Sequence, residues 1–304
     1  MYFATVIFLS MKHTPLLFFL MSSYFISAQT LNAKVLDSIT KYPIAYANVT
    51  FLEKNLGTYT DEDGSFSLET RNSKDIIITA LGYKDYLVNI DSLSIDNEIV
   101  ILKLKPSSEG LQEIFITHKK KEYTKPKKIG DSKKGKIKTS LPFGYEFANY
   151  IENPYYKEGL IENVILSLNK DNKYDYMATY NIKFYEYDNL NKKPGRILHH
   201  ENLIVQPENK TYLLNVDVSK LYISYPINGI CIGVEVINKD QENPLKKNAI
   251  IAPKINFTHT NKKVTTWSRY RTKEWNVRTR KSPFKSGDNG FVNALINLNV
   301  KIVK

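Results

Sequence analysis

The run LINLNVKIV near the end of the chain sets Ile296, Leu298, Val300 and Ile302 against Asn297, Asn299 and Lys301, apolar and polar in strict alternation. A period of two describes a strand with one face in a core and the other in water, and no helix can use it. The same pattern recurs along most of the sequence. In AYANVTF it places Ala45, Ala47, Val49 and Phe51 on one face; in GSFSLET, Phe66 and Leu68; in DIIITA, Ile76, Ile78 and Ala80; in EIVILKL, Val100, Leu102 and Leu104. Turn signals interrupt these runs every eight to twelve residues, with no helical pattern between them, so residues 29–105 read as a small antiparallel sandwich of seven strands. Alternation returns after Gly144, with Val164, Leu166 and Leu168 on one face, then Tyr180, Ile182 and Phe184. GICIGVEV sets Ile230, Ile232, Val234 and Val236 against Gly229, Cys231, Gly233 and Glu235. Residues 144–304 are therefore expected to form a second, larger β-sandwich of jelly-roll type.

Between these two blocks the character changes. The net charge of +12 is concentrated in two segments. Residues 119–138 carry ten lysines against Glu122 and Asp131, and residues 267–285 carry seven arginines and lysines against Glu274, which leaves the rest of the chain close to neutral. The lysine run lies in a stretch with little apolar content, so residues 106–143 are expected to be an extended basic linker. Twenty-one tyrosines and abundant Ile and Val agree with pleated structure throughout.

Residues 1–28 read as an export signal. Lys12 and His13 precede the apolar TPLLFFLMSSYFIS, and Ala28 offers a small residue before a cut ahead of Gln29. Either Met1 or Met11 serves as the start, and a retained signal anchor is the alternative to cleavage. The location expected is thus periplasmic, outer-membrane-associated or secreted. Cys231 is the lone cysteine, so no intramolecular disulfide forms; its place between Ile230 and Ile232 suits a packed thiol.

Few motifs carry chemistry. In GTYTDEDGSF, Asp61 and Asp63 are a weak cation candidate, but Gly64 comes too early for an EF-hand loop. A hairpin, with acidic side chains accepting backbone N–H groups and glycine taking a positive φ, explains the same letters. GDSKKGKI (130–137) approaches a phosphate-binding loop yet ends in Ile137, where the magnesium-binding hydroxyl should be. His199 and His200 are adjacent and would face opposite sides of a strand. His13, His118 and His259 stand apart from other histidines, and GxSxG is absent. No catalytic residue and no cofactor are expected. WSRYRTKEW offers an interaction surface through Trp267, Arg269, Tyr270, Arg271 and Trp275, since arginine and aromatic rings recur at binding hot spots; the competing reading has the rings packing the sandwich.

The stretch AKVLDSITKYPIAYANVTFLEKNLGTYTDEDGSFSLETRNSKDIIITALGYKDYLVNI resembles the carboxypeptidase regulatory-like domain of the transthyretin-like class. The likeness is carried in order by PIAYANV, GTYTDEDGSF and ALGYKDY, over residues 30–104. It implies a seven-stranded, non-catalytic sandwich of the kind appended to metallocarboxypeptidases and outer-membrane receptors. GLQEIFIT resembles the segment joining such a domain to the plug of TonB-dependent receptors. The second block looks like the C-terminal portion of bacterial envelope proteins that share this front domain. The peptidase zinc-ligand motif is missing, so the family name implies no peptidase activity.

Taken together, these readings predict a non-catalytic exported envelope protein, a binding or structural module. Its turn tips, Asp61 to Gly64 and Gly82 to Tyr83, would position neighbours. The partner expected is an envelope protein or glycan, with anionic lipid against the basic linker and no nucleic acid. Two alternatives are an accessory subunit of an outer-membrane transport or adhesion complex, and a glycan-acting enzyme using Glu186, Asp188 and Glu235.

Overall fold

A computed structural model describes residues 30–304 except 55, 71–72, 94–98, 108–120, 132–133, 239–248, 259–262 and 280–290. The signal segment, GLQEIFIT, His118 and His259 lie outside the described residues.

The first sandwich runs through β1 (Thr30–Asp37), β2 (Asn48–Phe51), β3 (Gly57–Tyr59), β4 (Ser65–Glu69), β5 (Asp75–Thr79), β6 (Tyr86–Asn89) and β7 (Val100–Leu104). One sheet has the order β4-β1-β7 and the other β3-β2-β5-β6. Their inner faces close over Val49, Phe51, Phe66, Ile76, Ile78, Leu102 and Leu104, which alternation picks out, and over Leu31, Ala33 and Val35 of β1. Each of these side chains larger than alanine contributes about 1.5–3 kcal/mol through its removal from water. One pairing departs from the expected antiparallel scheme: β1 and β7 run parallel. Most of the domain separates them in sequence, so no tight hairpin dictates their relative direction.

The second sandwich begins with β8 (Lys127–Ile129), β9 (Lys134–Thr139), β10 (Tyr145–Ile151), β11 (Gly159–Asn169), β12 (Tyr176–Met177), β13 (Thr179–Asp188), β14 (Lys193–Ile197) and β15 (Leu203–Val205). It continues with β16 (Tyr212–Asp217), β17 (Ser224–Tyr225), β18 (Ile230–Ile237), β19 (Ile251–Ala252), β20 (Lys254–Thr258), β21 (Thr266–Tyr270), β22 (Asn276–Val277) and β23 (Ile296–Ile302). A docking sheet has the order β14-β13-β18-β10-β21-β22, with β15 also on β13. A back sheet has the order β8-β23-β11-β20-β9, with β16 and β17 on β11. In both sheets strands remote in sequence lie side by side, β8 and β11 on β23 in one and β10 on β18 and β21 in the other. The whole is all-β, as the alternation requires.

The basic linker is shorter than residues 106–143. Both β8 and β9 lie inside that range, Tyr123 bridges to Val303, and the backbone N–H of Thr124 donates to the Ile302 carbonyl. Ile129 and Ile137 anchor the segment by burying in the second core. The lysines beside them, Lys127, Lys128, Lys134, Lys136 and Lys138, point out from the two edges of the back sheet. Edge strands rich in lysine resist pairing with other chains, so the composition that suggested a strap equally suits an edge. The segment that resembled a phosphate-binding loop leads into β9, a strand, where a phosphate loop would open a helix.

Candidate functional site

The acidic hairpin forms as its sequence suggests. The Asp61 carboxylate accepts the N–H groups of Asp63 (2.9 Å) and Ser65 (2.8 Å), and Gly64 sits at φ +73°. A side chain at Gly64 would come within 2.6 Å of the Val35 carbonyl, so only glycine closes this turn. Glu62 accepts the Tyr46 hydroxyl at 3.0 Å. Gly82, on the other turn tip, lies against His200 of the second sandwich.

In the arginine–aromatic segment Trp267 and Arg271 are buried, while Arg269, Tyr270 and Trp275 are partly exposed. Trp267 is buried, with its ring 6.1 Å from Tyr187. Trp275 covers Tyr185 at 5.7 Å and has the Arg269 guanidinium 4.1 Å from its ring centre. Tyr270 packs on Tyr145, and its hydroxyl accepts Nε of Arg271 at 3.0 Å. Arg271 is 4% exposed and crosses to the first sandwich, where Nη1 donates to the Asn48 side-chain oxygen and to the Thr58 carbonyl, the latter at 2.8 Å. Its guanidinium also lies over the Tyr59 ring at 4.3 Å. The backbone of Arg271 has φ 52°, a left-handed conformation uncommon for a residue of this size, and its N–H donates to Gly144.

These arginines join a buried seam built on the outward face of the docking sheet. Register places Asn181, Glu235, Glu146 and Arg269 side by side on β13, β18, β10 and β21. Two glutamates directly opposite each other repel unless cations stand between them. Lys183 does so, with Nζ 2.7 Å from Glu235 and 3.8 Å from Glu146. Arg269 donates to Glu146 through Nε at 2.9 Å and to the Tyr185 hydroxyl through Nη2 at 2.7 Å; Tyr185 in turn donates to Glu146 at 2.8 Å. From the first sandwich, the Tyr59 hydroxyl donates to Glu235 at 2.7 Å. Gly233 makes the space: a side chain there would strike the Glu146 carboxylate at 2.1 Å and the Tyr185 ring at 2.8 Å.

The electrostatics favour an ionised Glu235 and neutral Tyr59 and Tyr185. Burial alone would push the Glu235 carboxyl up, but Lys183, the Tyr59 hydroxyl and Arg269 together outweigh it and hold the group below the usual glutamate range. Burial pushes the Tyr59 and Tyr185 hydroxyls well above the usual phenol range, and the neighbouring carboxylates add to the effect. Both tyrosines therefore remain donors.

The other anticipated residues lie apart from this seam. Glu186 pairs with Arg196 at 2.6 Å, and Asp188 accepts the N–H groups of Leu190 and Asn191 in an exposed turn. Glu186 stands opposite Ile230, five residues along β18 from Glu235, on the order of 17 Å away and far beyond the separation of a glycosidase acid pair. His199 is half-buried against the Phe184 ring, and burial lowers its pKa. Cys231 is fully buried, and burial pushes its thiol up, the opposite of a reactive thiolate. Alternation did not single out Glu146, Lys183, Tyr59 or Tyr185. The available signal was a charged residue at the outward position of strands otherwise apolar on both faces, beside the small Ala148 and Gly233.

The first unit is thus a seven-stranded β-sandwich of two small sheets, docked by polar contacts on its neighbour. Residues 32–116 match the family model of the CarboxypepD_reg-like domain, so the first sandwich is a domain of that family, a regulatory or structural immunoglobulin-like unit without catalytic machinery of its own. No curated protein and no solved structure matches the chain.

Proposed function

We propose that this chain is a non-catalytic, exported envelope protein that works as a binding or structural module, its CarboxypepD_reg-like sandwich held against the larger sandwich by the buried seam. The observation that carries this reading is the state of Glu235. A general acid needs a carboxyl raised toward neutrality, whereas this one is held ionised by Lys183 and Tyr59 and is spent on joining two domains. Among the described residues no cluster of three His, Cys, Asp or Glu side chains is placed to hold a metal ion. The apolar leader that ends at Ala28 supports export.

A second reading, as accessory subunit of an outer-membrane transport or adhesion complex, draws on the exposed lysines at both edges of the back sheet, which suit anionic headgroups or an acidic partner. One preparation separates the readings. The full-length chain, tagged at its C-terminus and expressed in a Gram-negative host, is recovered from envelope fractions in mild detergent. A mature chain beginning at Gln29, without turnover of added envelope glycan, is the expected result; a large partner that survives purification selects the accessory role. Glycan cleavage lost in Glu235→Gln would overturn the non-catalytic reading.

A further inference from the structure

The two sandwiches do not close completely on one another. Between them lies a cavity of about 150 Å³, lined from the first by Asn48, Tyr59, Ala80 and Leu81 and from the second by Lys183 and Arg271, among others. Its charge is unbalanced. Lys183, Arg269 and Arg271 bring three positive charges, while Glu146 and Glu235 supply two negative ones. Arg269 and Lys183 are each in contact with a carboxylate, but Arg271 meets only neutral acceptors: Asn48, the Thr58 carbonyl and the Tyr270 hydroxyl. A guanidinium stays protonated at any physiological pH, so one buried positive charge is left in excess beside an open space. Glu62, on the far side of the Tyr46 hydroxyl, is exposed to solvent, where its charge is screened.

We propose that this cavity binds a small aliphatic monocarboxylate, its carboxylate on Arg271 and its short chain against Ala80, Leu81 and Ile197. One negative charge balances the seam, and Nη2 of Arg271, left over once Nε and Nη1 have donated to Tyr270, Asn48 and Thr58, still has two N–H groups to give to a carboxylate oxygen. The apolar part of the lining has no use for a halide or a phosphate, and it can take a short alkyl chain. A space of this size suits a short acid such as propionate or butyrate. The left-handed backbone at Arg271 fits the same reading: strain of this kind is tolerated where a side chain must be aimed. The inference goes beyond the envelope reading, because the outcome of the co-purification leaves the cavity as it is.

The experiment is calorimetric titration of the full mature chain with acetate, propionate, butyrate and octanoate, alongside chloride and phosphate. Saturable one-to-one binding is expected, tightest for propionate or butyrate and, for ligands this small, no tighter than about micromolar. Arg271→Gln should weaken it about ten- to a hundredfold, the range for losing a charged hydrogen-bonded partner. Because that change also touches the domain contact, Leu81→Trp provides a second arm. It keeps every charge and fills the space, and it should abolish binding while the protein melts as wild type does. No saturable binding of any carboxylate would overturn the proposal. So would chloride or phosphate binding as tightly as propionate, or propionate binding that survives Leu81→Trp.

Discussion

Two segments of this chain are strongly basic, and their described cations are placed differently. In residues 119–138 the described lysines on strands β8 and β9 stand on the outer edges of the back sheet, and only Ile129 and Ile137 go inward. In the segment that begins at Trp267, Arg269 and Arg271 are drawn inside with the aromatic rings around them. The difference lies in the side chains and in what faces them. Lysine is a strongly hydrated point charge and stays in water unless a carboxylate waits for it, as Glu235 does for Lys183. Arginine presents a flat fork that can satisfy several acceptors at once and stack on rings, so it can leave water when Glu146, Tyr185, Asn48 and Thr58 are in place. Net charge along a sequence therefore says little about which face of the molecule will carry it.

That contrast can be broken at several points. The largest effect is expected for Glu146→Ala, which strands Arg269 in a buried site; loss of about 3–5 kcal/mol in urea unfolding would show it. Replacing both residues, Glu146→Leu with Arg269→Met, should recover much of that loss, because an absent buried pair is less harmful than half of one. Arg271→Gln comes next, about 1.5–3 kcal/mol, and should also loosen the two sandwiches, read as faster proteolysis in residues 106–126. Tyr59→Phe removes one hydroxyl from Glu235 and should cost about 1.5 kcal/mol, the lower end for a hydrogen bond to a charged group.

Acid provides a different probe of the inward segment. The folded-state pKa of Glu235 is lowered, so its contribution is present above the unfolded value, about 4.3, and is lost as pH falls through the lower folded value. Denaturation midpoints measured below pH 5 should therefore drop less steeply in Glu235→Gln than in the parent. At the small end, Lys128→Ser on the outward segment should change stability by no more than about 0.5 kcal/mol. A larger loss there would erase the distinction between the two segments.

The same contrast explains what could be read in advance. Each sheet of the first sandwich contributes one inward face to a single core, so alternation in β2, β4, β5 and β7 named many of its buried residues directly. The fold class followed from that pattern. In β18 the pattern misleads, because every residue from Ile230 to Ile237 is buried. The face bearing Cys231, Gly233 and Glu235 is outward in its own sandwich and is then covered by Tyr185 and by Tyr59 of the other. Covering of that kind depends on a neighbour far away in sequence. Tyr59 and Glu235, separated by 176 residues, carry no local sign of their partnership. Edge strands β8 and β9 escaped notice for a related reason: each buries one isoleucine, too little to show as a period.

The place of β23 has a consequence for how the molecule is made. Residues 296–302 run down the interior of the back sheet, flanked by β8 and by β11. Until that stretch has been synthesised, β8 has no neighbour among the described strands and the larger half remains open along a seam of unpaired amides. Only the first sandwich, whose strands are all made by Leu104, can mature while the chain is still growing. The larger half must wait and then assemble through contacts between remote parts of the polymer, a slow event.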